Sequence, residues 1–102
     1  MPTWTQLARV VDVPHGASKE YVIEGRVVAL FNVRGKFYAL DGVCPHQGGP
    51  LGRGTLEGCI VTCPWHGWQF DVTSGQHQFN PQIVQPQFQL RVEGAWILVD
   101  LG

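Results

Sequence analysis

Short runs of Val, Ile, Leu, Phe, Tyr and Trp follow one another along the chain, and each is cut off by polar residues, glycine or proline before it reaches the length of a helix. With 13 glycines and 7 prolines as punctuation, this pattern predicts strands joined by tight turns. The clearest stretch is RVVALFNVRGKFYALDG, which predicts strands over 26–33 and 36–41 about an Arg34-Gly35 turn. The same X-Gly punctuation recurs at Glu24-Gly25, Glu57-Gly58 and Glu93-Gly94. Further hairpins are therefore expected around 20–30, 55–62 and 88–100. Together they make an all-β chain, a small antiparallel β-sandwich or barrel forming one domain over residues 1–102.

Residues 42–54 and 63–67 break this pattern, being rich in Gly, Pro, Cys and His with too few apolar positions to bury themselves. They read as loops with a task. Cys44 and His46 form a CxH step and Cys63 and His66 a CxxH step, with residues 47–62 between them. A strand at 58–62 would set the second loop beside the first, gathering four thiolate and imidazole ligands. Two metal centres use such a set. A structural Cys2His2 zinc site spaces its cysteines two to four apart and its histidines three to five apart, which this chain does not do. A [2Fe-2S] cluster with two cysteines on one iron and two histidines on the other accepts one ligand of each kind from each loop.

Composition narrows the partners. A chain of 102 residues with 44% hydrophobic content can bury a core of its own. Its net charge of -1, with acidic and basic residues scattered, offers no basic stripe, so nucleic acid is not an expected partner. The opening MPTWTQLARV has no basic segment followed by a long apolar run, and no stretch reaches the roughly 18 apolar residues of a membrane span. Three cysteines, an odd count without an export signal, argue for a reducing compartment, and the expected location is cytoplasmic.

CPH at 44–46 followed by CPWHGWQFD at 63–71 closely resembles the Rieske iron-sulfur family, over residues 36–81 in particular. The resemblance implies one Rieske-type [2Fe-2S] cluster, with Cys44 and Cys63 on the inner iron and His46 and His66 on the outer one. In the respiratory and photosynthetic branch, each loop carries a further cysteine and the two form a disulfide; here Gly49 and Trp65 hold those positions. That branch also has a Ser and a Tyr whose hydroxyls donate toward the cluster, replaced here by Trp68 and Phe70. Each lost donor of about 1.4 kcal/mol differential strength would lower a one-electron potential by roughly 59 mV. A potential toward the low end of the Rieske range is therefore expected.

The CPWHGWQFD run also resembles the Rieske domain of ring-hydroxylating oxygenases, which would need a second, mononuclear iron held by two histidines and a carboxylate. With the four ligands assigned, only His15 and His77 remain, and no further domain is expected after Asp100. The resemblance thus implies an electron carrier rather than an enzyme: a Rieske-type ferredoxin passing electrons from a flavin-dependent reductase to a terminal oxygenase. The alternatives are a small Rieske subunit of a larger oxidoreductase, such as assimilatory nitrite reductase, and a zinc-stabilised interaction module without redox function.

Individual residues carry their own expectations. Cys59, in the run CIVT, reads as a buried strand residue. His77, after the TSG turn, reads as a solvated turn histidine, and His15 as a surface one. In the resemblance, Gly48, Gly49 and Pro50 let backbone approach the cluster, Leu51 excludes water and Gly67 allows close approach. Pro81 resembles the proline of a third loop over the cluster. Trp68 is expected to pack against the domain, and Trp65 to stand at a loop tip as part of a docking patch with His46 and His66.

Overall fold

The structure, a computed structural model, describes residues 3–45, 48–65 and 67–101. Among them run nine strands: β1 (Trp4–Arg9), β2 (Ser18–Ile23), β3 (Arg26–Val33), β4 (Lys36–Asp41), β5 (Thr55–Glu57), β6 (Ile60–Thr62), β7 (Gln69–Asp71), β8 (Gln87–Glu93) and β9 (Trp96–Asp100). Six form one antiparallel sheet in the order β1-β9-β8-β4-β3-β2, curled into a barrel that lacks only a β1–β2 ladder. Side chains partly span that gap, since Thr5 Oγ1 donates to Glu24 at 3.4 Å and Arg26 donates to the Leu101 carbonyl at 3.1 Å. The other three, β5-β6-β7, make a small antiparallel sheet.

The apolar run VVALF explains where the core sits. Val28 to Asn32 are all buried, and side chains alternate across the strand, so Ala29 and Phe31 enter one apolar cluster while Val28 and Leu30 enter another. Leu40 and Ala39 of β4 divide the same way. The second cluster, with Ala8, Val13 and Ile97, fills the barrel; the first joins the barrel to the small sheet through Val61, Phe70 and Val72. Each large side chain so buried contributes about 1.5–3 kcal/mol.

The hairpin at Arg34-Gly35 falls where the pattern placed it, with strands 26–33 and 36–41. The four X-Gly pairs divide into two kinds. At Glu24-Gly25 and Arg34-Gly35 both residues have positive φ, the signature of a type I′ turn. At the other two sites the loop residues are Gly58-Cys59 and Gly94-Ala95, with glycine first and alone at positive φ, as in a type II′ turn. The expected strand at 58–62 consequently begins at Ile60, and Cys59 is corrected from a strand residue to a half-buried turn residue leaning on the first apolar cluster. Strands β1 and β7 lie outside the runs that the pattern marks as strands; both take their register from partners distant in sequence or across a loop.

Candidate metal centre

Cys44 and Cys63 open two loops closed by the same backbone bond. In the first, the Cys44 N–H donates to the Gly49 carbonyl at 2.9 Å; in the second, the Cys63 N–H donates to the Trp68 carbonyl at 2.8 Å. Each bond spans five residues, and the residue before each acceptor is a glycine in the left-handed region, Gly48 at φ 73° and Gly67 at φ 74°. A side chain at either would be strained, so each glycine serves the closure of its loop. The repeated Cys/His pairing is therefore matched by a repeated backbone turn.

The two loops touch. A Cβ added to Gly49 would sit 2.7 Å from Cys63 Sγ and 2.9 Å from Trp65 Cβ, so the first loop presses bare backbone against the second. Cys44 and Cys63 are each 1% exposed and share one apolar cluster with Leu51, Val61 and Phe70. Leu51 is buried at the start of a short 3-10 turn, Leu51–Arg53, in the same apolar cluster as the two cysteines. His46 and His66, the other two expected ligands, lie outside the described residues. Among the described residues no group of three or more His, Cys, Asp or Glu side chains forms; the cysteine half of the quartet is what the structure places.

A third segment spans both loops. The Gln78 N–H donates to the Gln69 carbonyl at 2.9 Å, and His77 bridges to Phe70 beside the second loop. At its far end Gln85, 3% exposed, donates through Nε2 to the carbonyls of Asp41 and Val43, both at 2.7 Å, next to Cys44. Pro81 lies at the exposed turn of this segment, where its carbonyl accepts from Gln76 Nε2 at 3.4 Å. Sequence reasoning missed Gln85, because a glutamine in a run of glutamines and prolines carries no signal of burial.

His77 requires a correction. It is not a solvated turn residue: it is 7% exposed, with ring contacts to Trp68 at 4.6 Å, Phe70 at 5.2 Å and Phe79 at 6.1 Å. Its Nδ1 accepts the backbone N–H groups of Phe79 at 3.1 Å and Asn80 at 3.0 Å. An acceptor Nδ1 puts the ring proton of neutral imidazole on Nε2, which is buried without a hydrogen-bond partner among the described residues. An unsatisfied buried donor costs about 1–3 kcal/mol. His15, by contrast, is exposed as expected, with Nδ1 accepting the Arg34 N–H at 2.9 Å. Trp68 is half-buried against the first apolar cluster and Trp65 is 50% exposed, both as anticipated.

Two buried thiols in one apolar cluster, on loops whose meeting point at Gly49 tolerates no side chain, suit an inorganic cluster held by soft ligands. The class so defined is a small β domain carrying an iron-sulfur centre between two loops. The Rieske [2Fe-2S] domain model matches residues 3–93, and the chain belongs to that family, with a single Rieske-type [2Fe-2S] cluster as its cofactor. It is 30% identical to the ferredoxin component of the naphthalene 1,2-dioxygenase system of Pseudomonas aeruginosa, covering 97% of this chain and 96% of that protein. It is 34% identical to the biphenyl dioxygenase ferredoxin subunit of Pseudomonas sp. strain KKS102, covering 98% and 94%. A solved complex of reduced oxygenase and oxidised ferredoxin in carbazole 1,9a-dioxygenase contains a chain that superposes with a TM-score of 0.88 at 25% identity, covering 98% of this chain and 94% of that one.

Proposed function

We propose that this chain is a one-electron carrier that takes electrons from a flavin-dependent reductase and delivers them to a terminal oxygenase. Cys44 and Cys63 hold the inner iron of its cluster, and His46 and His66 the outer one. The cluster supplies a store for a single electron. The chain's own residues do the rest. Leu51, Val61 and Phe70 keep the thiolate side dry, and the backbone bonds at Cys44 and Cys63 hold the two cysteines in place, so little reorganisation on that side accompanies the change of charge.

The observation that carries this reading is the close approach of Gly49 to Cys63, so close that a Cβ on Gly49 would meet Sγ, which brings the first loop against an expected cluster ligand of the second. The surface chemistry supports transient docking. Residues 42–52, 63–70 and 76–90 contain no Asp, Glu, Lys or Arg. On these segments stand Val43, Trp65, Phe79 and Val84, four of the exposed large apolar side chains. Small, uncharged, partly apolar surfaces suit the weak complexes of electron carriers. No helix among the described residues is long and apolar enough to cross a membrane, and the proposed location is the cytoplasm.

The test is anaerobic purification followed by iron and acid-labile sulfide analysis, with visible and EPR spectra of wild type and His66→Ala. A Rieske spectrum lost in the variant supports the ligand assignment; an unchanged spectrum overturns it. Reduction of an oxygenase component by the freely diffusing protein supports the carrier, whereas a tight stoichiometric complex with a larger reductase subunit would replace it with the subunit reading.

A further inference from the structure

The segment between β7 and β8 is held by a device the cluster-binding motif does not contain. His77 closes the neck of a small loop, its N–H donating to the Ile83 carbonyl at 2.9 Å. Inside that neck its Nδ1 collects the N–H groups of Phe79 and Asn80. An acceptor serving the amides two and three residues ahead is what an Asn or Asp side chain does in an Asx turn; here an imidazole does it. The same ring packs edge-on against Trp68 and Phe70, so the loop is fastened to the strand that leaves the second cluster loop. The product of this fastening is Phe79, which is 80% exposed although its backbone is tied at both Phe79 N and Asn80 N.

A phenyl ring held in water on a constrained loop has lost backbone freedom before binding and has its apolar surface still to bury. It stands on an uncharged segment, residues 76–90, that reaches from the second cluster loop to the first through Gln78 and Gln85.

We propose that Phe79 is an anchor for docking to the terminal oxygenase and that His77 is the positioning residue that presents it. This inference rests on the carrier function proposed above. The matching site on the oxygenase is an apolar, uncharged recess, because neither Phe79 nor its neighbours on this segment bring a charge to be paired.

Three variants of the cluster-loaded protein test it. His77→Leu substitutes an apolar side chain of similar reach, removes the buried unsatisfied Nε2 donor, and deletes the Nδ1 acceptor. His77→Asn restores an acceptor placed for the same two amides. Phe79→Ala removes the ring and leaves the loop. The probe is the oxygenase component of the Pseudomonas aeruginosa naphthalene 1,2-dioxygenase system, with amide hydrogen exchange, visible spectrum and midpoint potential measured on each variant alone.

For His77→Leu we expect exchange at the Phe79 and Asn80 amides to quicken by roughly tenfold or more. His77→Asn should return exchange to near wild type. KM for the ferredoxin should rise by about tenfold in His77→Leu and Phe79→Ala but not in His77→Asn, with kcat, spectrum and potential unchanged throughout. Unchanged exchange in His77→Leu, an Asn variant as impaired as the Leu variant, an unaltered KM in Phe79→Ala, or a shifted potential in His77→Leu would each overturn the inference. A wild-type protein that reduces no oxygenase would instead count against the carrier function, and the exchange comparison, which needs no partner, would still decide the role of His77.

Discussion

Gly49 lies so close to Cys63 that a single methyl group on it would come within 2.7 Å of the sulfur. Sulfur and carbon do not approach to that distance without displacement, and the neighbours on the other side are the Trp65 Cβ and Cγ, at 2.9 and 3.0 Å. Gly49→Ala therefore forces the two loops apart at the inner ligand. The expected result is loss of most of the cluster, read as iron content and visible absorbance per protein, while far-UV circular dichroism still reports the strands. Full occupancy in this variant would mean that the loops part without cost.

Phe70 is fully buried in the apolar cluster that contains both cysteines. Phe70→Tyr adds a hydroxyl near the thiolates, and a donor stabilises the reduced, more negative state. The potential should rise by tens of millivolts, about 59 mV for each 1.4 kcal/mol of preferential stabilisation. Protein-film voltammetry measures it, and a value that falls or stays put refutes the tuning argument.

Gln85 ties the third segment to the first loop through its bonds to the Asp41 and Val43 carbonyls. Gln85→Leu preserves volume and removes both donations, which should destabilise the protein by about 1–3 kcal/mol. At roughly 4–8 °C per kcal/mol for a domain of this size, thermal unfolding of the cluster-loaded protein should show a clear drop. An unaltered melting temperature would show that water replaces the amide at no cost.

Arg34 adopts φ 55° in its turn, where its N–H donates to His15 Nδ1. Left-handed backbone costs most L-residues about 1–2 kcal/mol, and asparagine adopts it more readily. Arg34→Asn keeps the backbone donor and should stabilise the protein by a few tenths to about 1 kcal/mol. Denaturant unfolding checks this, with a lowered midpoint as the contrary result.

The absence of Asp, Glu, Lys and Arg from residues 42–52, 63–70 and 76–90 bears on kinetics. Association driven by charge steering slows steeply with salt, because the screening length shortens from about 30 Å at 0.01 M to about 3 Å at 1 M. Docking through these segments should change electron-transfer rates to an oxygenase less than about threefold between roughly 0.02 and 0.5 M salt. A tenfold fall in stopped-flow rates would place the contact on a charged face instead.

Local chemistry carried much of this protein into view from its sequence. The Arg34-Gly35 hairpin was legible because turn residues and flanking apolar runs act within a few positions of one another, and the paired Cys/His spacing was legible because metal ligation restricts residue type as well as distance. Nothing in that spacing, however, distinguishes Glu57-Gly58 from Gly58-Cys59 as the turn. A glycine suits either position, and the choice follows from the pairing of Glu57 with Ile60.

The tertiary structure alone decided the burial of His77 and Gln85. Each is polar, in a stretch rich in glutamine and proline, and each is covered by groups outside its own turn: Trp68 and Phe70 for His77, the Asp41 and Val43 carbonyls for Gln85. Burial is a property of what surrounds a side chain, and a sequence pattern records it only where the whole strand faces inward, as it does from Val28 to Asn32.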